Sequence, residues 1–155
     1  MKMAVYSCRP DERGLFDKYG KELGVDLVFS SRRADLTNAA LAEGCQGVSV
    51  ITKPVGRELI DLWHGYGVKV ISTRTVGYEH VDYRYAAKLG IGVSNVSYTP
   101  HTVAEYTVMA ILMTIRKMKT ILTRYMVQDF SLEQVRGREL CHMTVGVIGT
   151  GQIWE

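Results

Sequence analysis

The residues best suited to chemistry stand near the end of the 155-residue chain. An apolar run, Met143-Thr144-Val145-Gly146-Val147-Ile148, leads into Gly149-Thr150-Gly151-Gln152-Ile153. A strand running into Gly-x-Gly-x-x opens the phosphate turn of a dinucleotide-binding fold. The first glycine makes the tight turn, and the second lets backbone approach a pyrophosphate. Free N–H groups at the start of the next helix then face the phosphates. The third glycine position holds Trp154, followed by Glu155. A tryptophan there obstructs close packing of helix on strand, and a carboxylate opposes a phosphate. On these glycines alone, a plain strand and turn stays open as a reading.

Other reactive side chains form no site of their own. Cys8, Cys45 and Cys141 are odd in number and far apart, without a CxxC pair. They suit a reduced, cytoplasmic chain better than a disulfide framework. His64, His80, His101 and His142 have no metal-ligand spacing, so no metal is expected. With 19 basic and 16 acidic residues the net charge is +3. No basic stripe with aromatic platforms is present, so no nucleic-acid partner is expected. Arg116, Lys117, Lys119 and Arg124 read as a solvated cluster that complements a helix C-terminus. The longest apolar run, Tyr106 to Ile115, is too short to span a bilayer, and Met1 to Val5 runs into a strand rather than a leader peptide.

The elements that would position these residues alternate. Strands are expected at Ala4–Ser7, Val25–Phe29, Gly47–Ile51, Val68–Ser72 and Ile91–Ser94. Helices are expected at Asp11–Leu23, Thr37–Glu43, Arg57–His64 and Val81–Leu89, with Gly24, Gly44, Gly65 and Gly90 as stops. Alternation without tight hairpin signals predicts a flavodoxin-like, doubly wound α/β fold on a parallel sheet. The pattern then changes. Thr99 suits an N-cap and Pro100 the first helical position. A single helix is expected from there to about Tyr125, buried on more than one side because Tyr106 to Ile115 carries no charge. Left uncovered, such a face would drive assembly, which predicts a homodimer or a domain-swapped pair through this helix.

Three ordered segments carry a resemblance. They are Ser72-Thr73-Arg74-Thr75-Val76-Gly77-Tyr78-Glu79-His80-Val81-Asp82, then Gly92 to Glu105 with Asn95-Val96-Ser97-Tyr98-Thr99-Pro100-His101 inside it, then Thr144 to Ile153. Together they resemble the NAD-dependent D-isomer-specific 2-hydroxyacid dehydrogenases. The D-lactate dehydrogenase branch is most similar, with vancomycin-resistance-type and D-2-hydroxyisocaproate enzymes nearby. The resemblance implies a flavodoxin-like substrate domain over residues 1–99. Residues 100–155 would then be a long interdomain helix and the truncated start, with its first strand, of a Rossmann domain for NAD. The chain would be an N-terminal part of an enzyme that reduces a small 2-keto acid to the D-2-hydroxy acid with NADH, and it would be inactive alone.

Site roles follow position by position. The family's loop matching Val76 and Gly77 holds the substrate carboxylate on backbone N–H groups. Ligands in open α/β sheets do sit beyond the carboxyl ends of strands, and a glycine there allows N–H groups to converge as an anion nest. Tyr98 matches a tyrosine that points into the substrate cleft. Gly149, Gly151, Gln152 and Ile153 match positions facing the cofactor pyrophosphate. The family's catalytic Arg, Glu and His match no residue here, so Arg74 and His80 read as loop scaffolding and His101 as a helix-surface residue. The other reading is a free-standing flavodoxin-like binding or oligomerisation module. Ser7, Cys8 and Arg9 lack a receiver domain's acidic cluster, and Cys8 to Glu12 lacks a flavodoxin phosphate loop.

Overall fold

A computed structural model of the chain describes residues 1–149, 151 and 153. It falls into two compact units, Met1–Tyr98 and Thr99–Glu155.

The first unit is built on a five-stranded parallel sheet. Its strands are β1 (Lys2–Val5), β2 (Asp26–Phe29), β3 (Gly47–Val50), β4 (Val70–Thr73) and β5 (Gly92–Ser94), in the order β2-β1-β3-β4-β5. Every pair is parallel. This is the expected flavodoxin-like order, which reverses direction between β1 and β3. Each connection that returns the chain to the sheet's starting edge carries a helix or a turn: α1 (Pro10–Leu23), a short 3₁₀ turn (Ala39–Ala42), α2 (Arg57–Gly65) and α3 (Tyr83–Lys88). The second expected helix, Thr37–Glu43, is therefore only that 3₁₀ turn.

Local chemistry explains the element ends. Pro10 opens α1, and the Glu12 carboxylate accepts the Arg9 N–H at 3.1 Å. Gly24, left-handed at φ 63°, closes it. All four residues of β3 are buried, as a central strand covered on both faces requires. Ala4, Val48, Ile60, Ile71 and Ile91 fill the core. Trp63 is fully buried with its ring centroid 5.7 Å from that of Tyr6. Burial pushes the Tyr6 phenol up to about 12. Its hydroxyl donates to the carbonyls of Asn38 and Ala39 and so ties the 3₁₀ turn to β1.

The second unit departs from expectation in three places. Helix α4 (His101–Ile115) starts after Pro100, which takes the cap position expected of Thr99. The helix does not run on to Tyr125. It stops at Arg116, Lys117 turns left-handed at φ 54°, and α5 (Met118–Tyr125) begins anew. The cause is tertiary. The Arg138 N–H donates to the Ile115 carbonyl at 2.9 Å, taking the acceptor that Lys119 would use in a continuous helix. Gly137 permits that approach, because a Cβ there would lie 2.9 Å from the Arg116 Cα. Third, the expected first strand of a Rossmann domain, Met143–Ile148, is irregular, and Val145, Val147 and Ile148 are exposed. A strand needs a neighbour for its N–H and C=O groups, and among the described residues none lies beside this run. The expected burial of α4 is also absent: none of its residues is buried. Val108, Met109, Leu112, Met118, Ile121 and Val135 instead line an apolar hollow of about 810 Å³.

Candidate functional site

The loop after β4 is held by its carbonyls. Thr73, buried at the strand end, donates its hydroxyl to the Thr75 carbonyl at 3.2 Å. The Val96 N–H reaches the same carbonyl at 3.3 Å. The Asn95 amide donates to the Val76 carbonyl at 2.8 Å, and the Thr75 hydroxyl to the Gly77 carbonyl at 2.6 Å. Three consecutive carbonyls are thus engaged. A trans peptide sets each N–H opposite the C=O of its own plane. Pinning the carbonyls of Thr75, Val76 and Gly77 therefore turns the N–H groups of Val76, Gly77 and Tyr78 away from those anchors. Among the described residues none of the three donates to any acceptor. Val76, Gly77 and Tyr78 are all exposed. The result is a row of free donors at the carboxyl end of a parallel strand, suited to an anion with two or more oxygens.

Gly77 does this without the conformation expected of it. It is not among the positive-φ glycines, so the loop is not a nest of alternating hand. A Cβ there would meet only a Glu79 carboxylate oxygen at 3.0 Å, the tip of an exposed side chain that can swing aside. Beside the loop, Tyr78, Tyr83, Ile91, Val93 and Asn95 line a hollow of about 430 Å³, with Tyr78 and Tyr83 packed edge to face.

The far end of the loop is fixed by Asp82. Its carboxylate accepts the Tyr85 N–H at 3.1 Å and the Arg57 Nε at 3.1 Å, while Val55 bridges Val81 in parallel. The Arg57 guanidinium, then the Tyr85 N–H, hold the Asp82 carboxyl below the usual carboxylate range. A lowered folded value means that the charged form stabilises the fold above the ordinary carboxylate value, about 4. That contribution is lost as pH falls through the lowered value. Asp82→Asn keeps a cap but removes the charge. Its unfolding temperature should match wild type more closely at acid pH than at neutral pH, and an equal gap at both pH values would contradict this.

Other candidates separate from the loop. Tyr98, 58% exposed, makes no side-chain hydrogen bond among the described residues. Arg74 is engaged inside the sheet rather than presented beyond it, by bonds to Ser49, Tyr6 and Ser7. His80 is half-buried, and its Nε2 has no partner among the described residues. His101 is exposed at the first position of α4. Cys8 is no activated nucleophile, because burial, then the Glu12 carboxylate, push its thiol up. Asn95 and Thr75, which orient the loop, do not stand out by residue type. The signal for Asn95 is its place in the second motif.

At the other end, Gly149 is left-handed at φ 89°, and among the described residues no atom beyond the chain neighbours lies within 4 Å of where a Cβ of Gly149 or Gly151 would stand. Ile153 is 40% exposed. Gln152 lies outside the described residues. The described residues do not assemble a dinucleotide cradle, since both the strand and the close packing that would make glycine necessary are missing. One grouping of metal-capable side chains, Glu139, Cys141 and His142, brings donor atoms within 4.8 Å among the described residues. All three are exposed, and the Glu139 carboxylate lies 3.2 Å from the His142 Nε2 within one turn. No helix among the described residues is long and apolar enough to cross a membrane.

Comparison with known proteins agrees with the fold. The family model described as D-isomer specific 2-hydroxyacid dehydrogenase, catalytic domain, matches residues 3–147. A D-specific alpha-keto acid dehydrogenase of Enterococcus faecium is 40% identical over 152 residues, covering 97% of this chain and 47% of the relative. The apo-structure of D-lactate dehydrogenase from Escherichia coli superposes with a TM-score of 0.87 at 31% identity, covering 99% of this chain and 50% of the other. The NAD-complexed D-isomer specific 2-hydroxyacid dehydrogenase of Lactobacillus delbrueckii ssp. bulgaricus gives 0.64 at 30% identity, covering 99% and 48%. The chain thus spans about half the length of the relatives it matches. A parallel sheet of order 2-1-3-4-5 and a family-model match over residues 3–147 lead to one conclusion: the chain belongs to the D-isomer specific 2-hydroxyacid dehydrogenase family.

Proposed function

We propose that this chain is the substrate-binding part of an NAD-dependent D-2-hydroxyacid dehydrogenase. Residues 1–99 form the substrate domain, and 100–155 lead into the cofactor domain. The N–H groups of Val76 and Gly77, joined by that of Tyr78, hold the carboxylate of a 2-keto or 2-hydroxy acid. The observation that carries this reading is the row of three tied carbonyls and three free N–H groups at the end of β4. Charge-assisted bonds from backbone N–H to carboxylate are about twice as strong as neutral ones, so a short row suffices to orient a small acid. Tyr98 borders the same substrate.

In the parent enzyme, NADH would supply the hydride that reduces the 2-keto acid and would leave as NAD⁺. Support for NAD comes from the Gly149-Thr150-Gly151-Gln152-Ile153 pattern and from the relative in its NAD-complexed form. We place the protein in the cytoplasm, in keeping with three free cysteines.

Two experiments test these roles. Joined to the C-terminal half of the Enterococcus faecium relative, residues 1–153 should reduce a 2-keto acid with NADH to the D product. The 155-residue chain alone should leave NADH unoxidised. A chimera that folds and binds NADH but does not bind the acid would contradict the proposal, as would turnover by the chain alone.

The apolar face of α4 and α5 supports self-association as a homodimer or domain-swapped pair. Sedimentation at micromolar concentrations should therefore give a dimer mass. Replacing Leu112 and Met109 by lysine should return the chain to a monomer. A wild-type chain that sediments as a monomer would remove this part of the account.

A further inference from the structure

Doubly wound sheets bind ligands in the crevice where strand order reverses, outside the carboxyl ends of the strands. Here that crevice lies between β1 and β3, and it is filled from within. The Arg74 guanidinium donates through Nη1 to the Ser49 hydroxyl at 2.9 Å, and through Nη2 to the carbonyls of Tyr6 at 2.9 Å and Ser7 at 3.0 Å. Its Nε stands 3.4 Å from the Glu12 carboxylate, a charge contact without hydrogen-bond alignment. The guanidinium carbon lies 5.6 Å from the Phe16 ring centroid. Only 15% of the side chain is exposed.

The backbone is strained to make this socket. Ser7 is left-handed at φ 51°, a conformation that costs a residue with a Cβ. In that conformation the carbonyls of Tyr6 and Ser7 converge on one nitrogen. Arg74 also precedes the donor loop directly, and its own N–H is bonded to the Val50 carbonyl at 2.9 Å. Its main chain and its side-chain tip are therefore both fixed to the sheet, and Thr75 starts from that fixed point.

We infer that Arg74 is a positioning residue: its guanidinium closes the switch-point crevice and sets the loop whose N–H groups take the carboxylate. This rests on the proposed function for the ligand, but not for the geometry. The charge is balanced by Glu12, both Nη nitrogens are bonded to Ser49, Tyr6 and Ser7, and the Nε is buried, so Arg74 does not clamp the substrate itself. Lysine cannot replace it. A single ammonium does not span Ser49 on β3 and two carbonyls after β1 as a planar fork does.

The test uses the 155-residue chain and the amide signals of Val76, Gly77 and Tyr78 in ¹H–¹⁵N spectra, well below each variant's unfolding temperature. In Arg74→Ala without ligand, these three signals should move or broaden. Guanidinium ion at about 20 mM should restore them by refilling the socket, while sodium chloride at equal ionic strength should not. Pyruvate affinity should fall at least about tenfold in Arg74→Ala, recover to within about threefold with guanidinium, and stay low in Arg74→Lys. Ile60→Val, destabilised in the core of α2, should leave loop signals and affinity unchanged and so separates positioning from stability. If Arg74→Ala does not fold, Ser49→Ala removes one guanidinium bond and should shift the same signals by less. Loop signals that coincide with wild type in these variants would overturn the inference. So would equal displacement in Ile60→Val, or restoration by salt alone. A wild-type chain that takes no pyruvate would overturn the proposed function, while the ligand-free signals still decide the role of Arg74.

Discussion

Asn95→Asp should lower the affinity of the chain for pyruvate by at least about tenfold at neutral pH, the largest effect expected of any single loop substitution. The Asn95 amide donates to the Val76 carbonyl at 2.8 Å. An ionised aspartate only accepts, so two oxygens would face each other across that distance. The peptide between Val76 and Gly77 would be free to rotate, and the Gly77 N–H would lose its direction. The new negative charge would also stand beside the site that takes a carboxylate. Both effects oppose binding, whereas Asn95→Ala removes only the anchor and should cost less. Once protonated, the introduced carboxyl group can donate again, so affinity should recover as pH falls through the ordinary carboxylate range, about 4. Titration calorimetry with pyruvate at two pH values reads this directly. An Asn95→Asp chain that binds as wild type would show that the carbonyl anchor does not matter.

Trp63→Ala should cost about 3–5 kcal/mol, the largest stability loss expected of a single core substitution here. Trp63 is fully buried on α2 and packs on Tyr6, whose hydroxyl holds the 3₁₀ turn. Truncation would leave a void between β1 and α2 that close-packed neighbours cannot fill. Against a whole-domain stability of roughly 5–15 kcal/mol, that loss leaves little margin. Trp63→Phe should cost less, because the phenyl ring refills much of the void. Urea unfolding followed by circular dichroism measures both. Equal losses for the two variants would mean that the void is not the source of the cost.

The first unit is largely legible because each of its signals is local. Gly24 and Gly90 end helices through left-handed conformations that a sequence announces. Short apolar strands spaced by amphipathic helices permit few arrangements, and a flavodoxin-like parallel sheet is the simplest. What is not legible depends on groups far apart in sequence. The break at Lys117 follows from an Arg138 N–H reaching Ile115, which no propensity at 116 or 117 encodes. Met143 to Ile148 carries a strand pattern, but a pattern does not provide the neighbouring strand. Asn95 acts on a carbonyl nineteen residues earlier, so its type gives no warning of its task. Gly77 suggests backbone freedom by its type, yet in the fold its φ is not positive.

The central claim is that the loop after β4 is the carboxylate site. Its most direct test is a ¹H–¹⁵N titration of the wild-type chain with pyruvate. The amide protons of Val76, Gly77 and Tyr78 should shift downfield together and saturate with one binding constant. Saturable shifts confined to another place, such as the hollow lined by Arg33, Lys53 and Arg57, would contradict it, as would no saturable shift at all.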